Sequence, residues 1–411
     1  MAVTPRRNKS ARTRIPPIQV DAHASLPLGM PAEQFLRDYW QKRPLLVRNA
    51  FPGLVAPLQP EDLAGLACED GVLARLVEHD RATDGWRVRH GPFPEELFPA
   101  LPTRDWTLLV QDVDKWDADV AALLPAFSFL PRWRIDDIMV SFAAPGGSVG
   151  AHVDQYDVFL IQGQGHRRWQ IDASSNPPLQ FRPGVDLKLL QQFNPDHEWV
   201  LAPGDMLYLP PGVPHRGIAE DACLTYSLGM RAPSAADLLG DFVDTLAADA
   251  DDSLRFRDPD LAPALDPNEI DADAMRRVVD ALNLLRMNDP ARLGDWFGGF
   301  ITRYRSPGEL VETPVPARIE TEWLLQQGTT LLRHPYSRMA WRRQGRAARL
   351  YANGETFELP VADARRLAGA GVLDNTVYST LSEAGRDVAF SLYEAGHYRP
   401  FDDDDDKDDP A

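Results

Sequence analysis

Two histidines and one aspartate carry the clearest chemical signal in this sequence. His152 and Asp154 lie two residues apart in the segment Gly150-Ala-His-Val-Asp-Gln-Tyr-Asp-Val-Phe, and residues at this spacing on an extended chain point to the same side. A second histidine, His215, ends the segment Pro210-Pro-Gly-Val-Pro-His. If the fold brings His215 beside the pair, the three side chains form the facial triad that binds non-haem Fe(II) and leaves coordination positions open.

An arginine that follows the pair could bind a co-substrate. A 2-oxo acid would fill two of the open positions through its carboxylate and keto oxygens, which leaves the third for O2. The distal carboxylate of 2-oxoglutarate then needs a buried cation, and Arg167 can provide a bidentate guanidinium. The choice of Arg167 over Arg168 depends on the register of the strand. Thr225 and Ser227 are further candidates for hydrogen bonds to this carboxylate.

Other interpretations of these residues remain open. A histidine alone is more often a hydrogen-bonded structural residue than a metal ligand, but the complete set favours a metal site. A metal-dependent cupin of other chemistry would need no Arg167. A non-enzymatic scaffold would have no need of intact ligands, and a JmjC-type demethylase would share the active-site chemistry.

The residues around the triad favour a β-barrel or sandwich. Between about 105 and 232, short apolar runs alternate with Pro and Gly, a pattern typical of all-β folds. The predicted strands are Trp106 to Val110, Asp137 to Phe142, Val158 to Gln162, Arg168 to Ile171, Met206 to Leu209 and Leu224 to Met230. Before them, a helix that begins near Met30 should end before Pro44 and lead into a strand at Leu45.

The pattern changes to helical after Pro233. Ser234 is a candidate N-cap for the first of two amphipathic helices. Their apolar faces need a cover, which could be a partner subunit or the barrel itself. Farther on, a helix over residues 319–325, strand-like residues 339–359 with the hairpin signal Asn353-Gly354, and a helix over residues 382–395 resemble a winged-helix module.

Composition limits the partners and the compartment. The chain has 43 Lys plus Arg against 61 Asp plus Glu, a formal net charge of -18. This charge disfavours direct nucleic-acid binding and favours a basic protein partner. There are only two cysteines, Cys68 and Cys223, and no apolar run of membrane-spanning length. We therefore expect a cytoplasmic protein without membrane insertion.

At this point the motifs resemble a known family. The chain is similar to the bacterial JmjC-type ribosomal protein hydroxylases, in particular the cupin-fold arginine hydroxylases of large-subunit ribosomal protein L-sixteen. The segments that carry the resemblance cover most of the chain: Phe35-Leu-Arg-Asp-Tyr-Trp-Gln-Lys-Arg-Pro-Leu-Leu, Arg134-Ile-Asp-Asp, Ser141-Phe-Ala-Ala-Pro-Gly-Gly-Ser-Val-Gly, His152-Val-Asp-Gln-Tyr-Asp-Val-Phe, Pro210-Pro-Gly-Val-Pro-His and Tyr226-Ser-Leu-Gly-Met-Arg-Ala-Pro.

The resemblance implies a fold and a domain order. The fold is a mainly β catalytic core, a double-stranded β-helix of the cupin and JmjC type, with flanking helices, a helical dimerisation region and a C-terminal winged-helix-like domain. We expect a disordered basic arm over 1–20, the catalytic domain with its N-terminal helical flank over 21–232, the dimerisation region over 233–305, the winged-helix-like domain over 306–401 and an acidic disordered tail over 402–411.

The resemblance also implies an activity. It predicts an Fe(II)- and 2-oxoglutarate-dependent dioxygenase that uses O2 to hydroxylate an arginine side chain of a basic ribosomal protein, and it predicts a homodimer. His152, Asp154 and His215 would be the iron ligands, and Arg167 would bind 2-oxoglutarate. If the target is arginine, acidic or polar side chains near the metal strands could receive its guanidinium, and the candidates are Asp136, Asp137, Tyr156 and Asp157. Each of them could equally be a hydrogen-bond partner within the barrel.

Overall fold

The computed structural model describes residues 16–23, 26–263, 266, 268–285, 289–303, 310 and 314–401. The chain divides into two compact units, residues 1–232 and 233–411. Most of the predicted basic arm and the acidic tail lie outside the described residues. Gln19 and Val20, which we placed at the end of that arm, form the first strand together with Asp21.

The first unit is mainly β. Its strands are β1 (Gln19–Asp21), β2 (Leu45–Arg48), β3 (Ala74–Asp80), β4 (Gly85–His90), β5 (Trp106–Val110), β6 (Ile135–Ala143), β7 (Val158–Gln164), β8 (Arg167–Ile171), β9 (His197–Leu201), β10 (Met206–Leu209), β11 (His215–Ala219) and β12 (Cys223–Met230). Its helices are α1 (Ala32–Asp38), α2 (Pro60–Leu66), α3 (Val113–Trp116) and α4 (Ala118–Ala121), with 3-10 turns at Glu95–Ala100, Leu124–Phe127 and Arg132–Arg134.

The strands form two sheets. A nine-stranded sheet has the order β1-β2-β10-β7-β12-β6-β5-β3-β4, and a three-stranded sheet has the order β11-β8-β9. Apolar side chains from both sheets meet in one cluster, which includes Leu160 from β7, Trp169 from β8 and Leu207 from β10. The two sheets therefore face each other across a barrel interior, which confirms the predicted cupin-type core.

Helix α1 covers the other face of the large sheet. The ring of Phe35 is fully buried and lies 5.0 Å from the ring of Tyr208 and 5.8 Å from that of Phe159. Because β12 is central in the sheet and covered on both faces, all eight of its residues are buried. The strand that carries Thr225 is thus fixed from both sides.

The second unit combines helices with two small sheets. Its elements are α5 (Ala235–Ala248), α6 (Ala272–Asn283), α7 (Pro290–Thr302), α8 (Arg318–Gln326), β13 (Leu331–Arg333), β14 (Met339–Gln344), β15 (Ala347–Ala352), β16 (Glu355–Pro360), α9 (Val361–Gly369), β17 (Val372–Leu373), α10 (Asn375–Tyr378), α11 (Glu383–Glu394) and β18 (Tyr398–Pro400).

Local sequence explains several of these elements. Ser234 caps α5 as predicted, because its side chain accepts a hydrogen bond from the amide of Asp237. Asn353 and Gly354 both have positive φ, 44° and 100°, which a two-residue hairpin turn between β15 and β16 requires. The hairpin and its flanking helices confirm the winged-helix-like fold of this region. Among the described residues, no helix is both long and apolar enough to cross a bilayer.

Candidate metal and co-substrate site

A pair of backbone hydrogen bonds joins the two segments that carry the triad. The amide of His152 donates to the carbonyl of His215 at 3.0 Å, and the amide of His215 donates back to His152 at 2.9 Å. The two residues thus form an isolated antiparallel bridge in which their side chains lie side by side. The amide of Gly212 also donates to the carbonyl of Asp154 at 2.8 Å. The loop after Gly150 and the start of β11 are therefore held together independently of any ligand.

The three side chains converge on one point. Their candidate ligand atoms all lie within 4.8 Å of one another. The Oδ2 atom of Asp154 is 3.6 Å from Nε2 of His215 and 3.9 Å from Nε2 of His152. The two imidazole centroids are 4.2 Å apart. Two nitrogens and one carboxylate oxygen are thus presented as neighbouring ligands to one cation.

The other nitrogen of each imidazole is occupied by the backbone. Nδ1 of His152 lies 3.1 Å from the carbonyl of Gly150, and Nδ1 of His215 lies 2.9 Å from the carbonyl of Val213. Since a carbonyl oxygen can only accept, each Nδ1 carries the proton and each Nε2 keeps a lone pair for a metal. Burial, and next the nearby His152, lower the pKa of His215 to about 4, so this ring is neutral near pH 7.

Gly150 allows the loop to reach this position. Its φ is +79°, and a Cβ there would lie 2.5 Å from Leu189 Cδ2. A larger residue would push the loop between β8 and β9 away from the first ligand, because the amide of Leu190 in that loop donates to the carbonyl of Ala151. The glycine therefore permits the close packing beside His152.

Asp157 does not lie at the mouth of the pocket. Its side chain is fully buried and accepts hydrogen bonds from Tyr208 Oη at 2.6 Å and Gln41 Nε2 at 2.9 Å. A guanidinium nitrogen of Arg134 lies 3.4 Å away. Of the two possibilities for Asp157, the structure shows the hydrogen-bond partner within the barrel, because its oxygens already bind the chain after α1 and strand β10.

The structure resolves the choice between the two arginines. On β8 the side chains of Arg167, Trp169 and Ile171 are buried, whereas Arg168 faces outward. Arg168 pairs with Glu198 and Glu220 on the surface. The guanidinium of Arg167 instead points into the barrel, where Nη1 lies 3.2 Å from Ser141 Oγ and 3.5 Å from Thr225 Oγ1.

Arg167 is a buried cation whose protein contacts are neutral. It is 3% exposed, and no Asp or Glu among the described residues forms an ion pair with it. Its Nε is buried without a hydrogen-bond partner, and loss of water lowers its pKa. Burial of an unpaired charge costs several kcal/mol. This arrangement is stable only if an anion enters the pocket or if water remains there.

Gly217 allows the side chains of Arg167 and Trp169 to pack closely against β11. It is paired with Trp169 across the ladder between β11 and β8. A Cβ at Gly217 would lie 2.5 Å from Nε of Arg167 and 2.9 Å from Cη2 of Trp169. Any other residue would therefore clash with the guanidinium and the indole.

The polar lining of this pocket is larger than the sequence indicated. Thr225 contacts Arg167, and its hydroxyl donates to Gln162 Oε1 at 3.2 Å. Ser227 is buried one inward position farther along β12, where it is paired with Leu160. Sequence analysis assigned no role to Ser141 or to Gln162. Ser141 lies directly opposite Thr225 on β6, so two facing polar residues on inward positions were the available signal.

Acidic side chains cluster at the start of strand β6, around Asp137. Asp137 accepts a hydrogen bond from the amide of Asp112 at 3.0 Å. Loss of water around this recessed carboxyl, and next the charge of Asp112, raise its pKa to about 7. A Cβ on Gly229 would lie 3.4 Å from Asp137 and 3.9 Å from the ring of Tyr156, so these two side chains lie close to Gly229. Tyr156 follows the triad residue Asp154 by two positions. Asp136 is half exposed beside them.

Two protein-family descriptions match this chain. Residues 122–238 match the model of the JmjC domain, and residues 285–399 match that of the ROXA-like winged helix. The ribosomal protein uL16 3-hydroxylase of Escherichia coli is 39% identical over 331 residues, which cover 79% of this chain and 85% of that protein.

Solved structures are similar over nearly the whole chain. The X-ray structure of E. coli YcfD has a TM-score of 0.81 at 35% identity, and the match covers 91% of this chain and 99% of that one. YcfD is described as a ribosomal oxygenase, and its structure has also been solved in complex with cobalt and 2-oxoglutarate. The structure of that complex has a TM-score of 0.78 to this chain, with the same coverage.

The triad predicts a specific divalent-metal site. We expect the protein to bind one Mn(II) per chain, and His152→Ala to weaken binding by more than about 100-fold, since loss of second-shell partners alone costs about 10–100-fold. Isothermal titration calorimetry measures this directly. His166→Ala is the matched control, because His166 is half exposed and pairs with Asp221 on the surface. Equal Mn(II) affinity in the His152 variant and the wild type would contradict the assignment.

Proposed function

This chain belongs to the JmjC-domain ribosomal oxygenases, as the sequence motifs predicted, and from that membership we propose that it hydroxylates an arginine side chain of a basic large-subunit ribosomal protein. It is an Fe(II)- and 2-oxoglutarate-dependent dioxygenase by class. The observation that carries the proposal is one barrel interior that holds both a His-His-Asp triad and a buried arginine without an acidic partner.

The residues present fit both a metal and a dicarboxylate. His152 and His215 would bind iron through Nε2, and Asp154 through its carboxylate. The orphaned Nε of Arg167, a buried cation without an acidic partner among the described residues, fits the distal carboxylate of 2-oxoglutarate. When bound, iron and 2-oxoglutarate supply the oxidation: O2 is split, 2-oxoglutarate becomes succinate and CO2, and one oxygen atom enters a C–H bond of the substrate.

The protein itself orients the co-substrate and limits the access of water. Arg167 orients the co-substrate, and Ser141 and Thr225 in turn orient the guanidinium. Ser227, one inward position from Thr225, is a further candidate contact to the co-substrate. The apolar walls around Trp169 and Leu160 limit the access of water to this end of the barrel.

The carboxylates around Asp137, called the acidic mouth below, fit an arginine substrate. The charges that act most strongly on Asp137 are those of Asp112, Asp114 and Asp136, all of them carboxylates. A guanidinium would relieve this repulsion and gain charge-assisted hydrogen bonds. The ring of Tyr156 lies beside Asp137, close to Gly229. The acidic mouth therefore supports a cationic side chain as the one that is oxidised.

The partner and the compartment follow from the same proposal. A formal net charge of -18 favours a basic protein over nucleic acid as the direct partner. If the substrate is a ribosomal protein, the enzyme works in the cytoplasm. The domain boundaries predicted at residues 20, 232, 305 and 401 remain part of this proposal.

Product mass tests the proposed reaction. We expect a basic ribosomal protein incubated with the enzyme, Fe(II), 2-oxoglutarate and O2 to gain one oxygen atom on an arginine, with one succinate per product. Arg167→Met should lower kcat/KM for 2-oxoglutarate by roughly 100-fold or more, since truncating one partner of a buried charge pair costs about 2–5 kcal/mol or more. Arg168→Met is the matched control, because this neighbouring arginine faces the solvent.

Each other outcome of this experiment identifies an alternative. Succinate formation with loss of a methyl group from lysine would indicate a demethylase. Turnover of a substrate without 2-oxoglutarate would indicate a cupin of different chemistry. Succinate formation without modification of any ribosomal protein would support the proposed oxygenase activity but contradict the proposed substrate.

The pKa of Asp137 predicts a pH dependence. The neutral carboxylic acid predominates below about pH 7 and the carboxylate above it, and only the carboxylate attracts a guanidinium. We therefore expect kcat/KM for the arginine substrate to rise about tenfold from pH 6 to pH 8, since kcat/KM reports the ionisation of the free enzyme. Asp137→Asn should have a lower kcat/KM and lack this rise. A parallel pH profile in the variant would rule out Asp137 as the group responsible.

Helix α6 supports the proposed homodimer. Met275, Val278, Val279 and Leu282 follow helical spacing and are 39–54% exposed. We expect Val279→Asp to shift the protein to a monomer in sedimentation equilibrium, because a charge in a dimer interface of this kind is desolvated. Asp280→Lys, on a different face of the same helix, should leave the association unchanged. A Val279→Asp protein that stays dimeric would place the interface elsewhere.

A further inference from the structure

The barrel interior contains a second orphaned donor beside Arg167. Trp169 is 5% exposed, and its indole Nε1 is buried without a hydrogen-bond partner. Buried polar groups in folded proteins are almost always hydrogen-bonded, so an exception needs an explanation. Here the exception lies in the pocket where a ligand is expected.

Trp169 lies between the two ends of this pocket. Its ring centroid is 5.1 Å from Cζ of Arg167 and 5.9 Å from the ring centroid of His215. On β11, His215 is paired with Ile171, Gly217 with Trp169 and Ala219 with Arg167. A ligand that extends from the triad to Arg167 must therefore pass along the indole.

The indole of Trp169 and the guanidinium of Arg167 both pack against Gly217. A Cβ on Gly217 would lie 3.0 Å from Cζ2 of Trp169 and 2.5 Å from Nε of Arg167. Cζ2 is two bonds from Nε1, so both orphaned donors lie beside the same glycine. A carboxylate there could accept from both, since each of its oxygens has two lone pairs.

We propose that the indole N–H of Trp169 donates a hydrogen bond to the distal carboxylate of 2-oxoglutarate and so acts with Arg167 as part of the co-substrate clamp. This inference rests on the proposed function. It assigns a binding role to a residue that otherwise reads as part of the apolar wall. It also explains why an indole, rather than a phenyl ring, faces Gly217.

The test measures binding without turnover, with Zn(II) in place of iron. Trp169→Phe removes the N–H and keeps an aromatic ring. We expect the Kd for 2-oxoglutarate to rise about tenfold or more, the usual effect of losing a hydrogen bond to a charged group. For 2-oxopentanoate, which has the same chain but no distal carboxylate, wild type and variant should bind equally, as judged by the thermal shift at millimolar ligand.

Two further measurements separate donation from packing. The chain has 10 tryptophans, so the 1H–15N spectrum of the indoles is simple, and Trp169→Phe identifies the resonance of Trp169. This proton should move downfield with 2-oxoglutarate and not with 2-oxopentanoate. Trp86→Phe is the matched control, since Trp86 also has an orphaned buried Nε1 and packs against Gly150. It should leave the Kd for 2-oxoglutarate unchanged.

Three results would overturn the inference. The first is an unchanged Kd for 2-oxoglutarate in Trp169→Phe, and the second is an equal loss of affinity for both ligands. The third is an indole proton shift that is the same with 2-oxoglutarate and 2-oxopentanoate. Each would mean that Trp169 only packs against the ligand. Failure of the wild type to bind 2-oxoglutarate would instead refute the proposed function. The two failures are therefore distinguishable in the same titration.

Discussion

The reciprocal hydrogen bonds between the backbones of His152 and His215 are the constraint on which the site depends. They join two segments that are far apart in sequence, and they do so at the residues that carry the imidazoles. Because the backbone fixes the register, the Nε2 atoms converge before any metal arrives. The bonds from each Nδ1 to a carbonyl then set the tautomer of both rings. A metal site built this way spends little binding free energy on ordering its ligands.

The other end of the pocket is organised by a charge instead of a backbone bridge. Arg167 is buried among Ser141, Thr225 and Trp169, and none of these neutralises it. Its desolvation is a cost that the folded protein carries until an anion enters. Gly217 lets the guanidinium and the indole pack against β11, where a Cβ would lie only 2.5 Å from Nε of Arg167. Stability has thus been given up at this point, as is common where a ligand completes the structure.

The sequence predicted much of the fold and the triad, and the exceptions have physical reasons. Strands β5 and β10 have the predicted bounds because apolar residues dominate them. Strand β11 was missed because its inward residues are His215, Gly217 and Ala219, which are small or polar and do not give the apolar alternation of a strand. Ser141 and Gln162 were missed because their roles depend on which strands pair, and single-strand patterns do not contain that information. The role of Asp157 stayed open for the same reason, since its partner Tyr208 lies on β10.

The two ligands proposed for this barrel have opposite charges, and the protein separates them by position. In the proposed arrangement, dianionic 2-oxoglutarate would meet one deeply buried cation, whereas a cationic substrate would meet the carboxylates around Asp137 at the mouth. An arginine side chain that entered deeply would approach Arg167 and be repelled, and a dicarboxylate that paused at the mouth would be repelled there. Each charge therefore attracts its own ligand and excludes the other. In this arrangement the two charges would hold the co-substrate and the substrate at different positions relative to the triad.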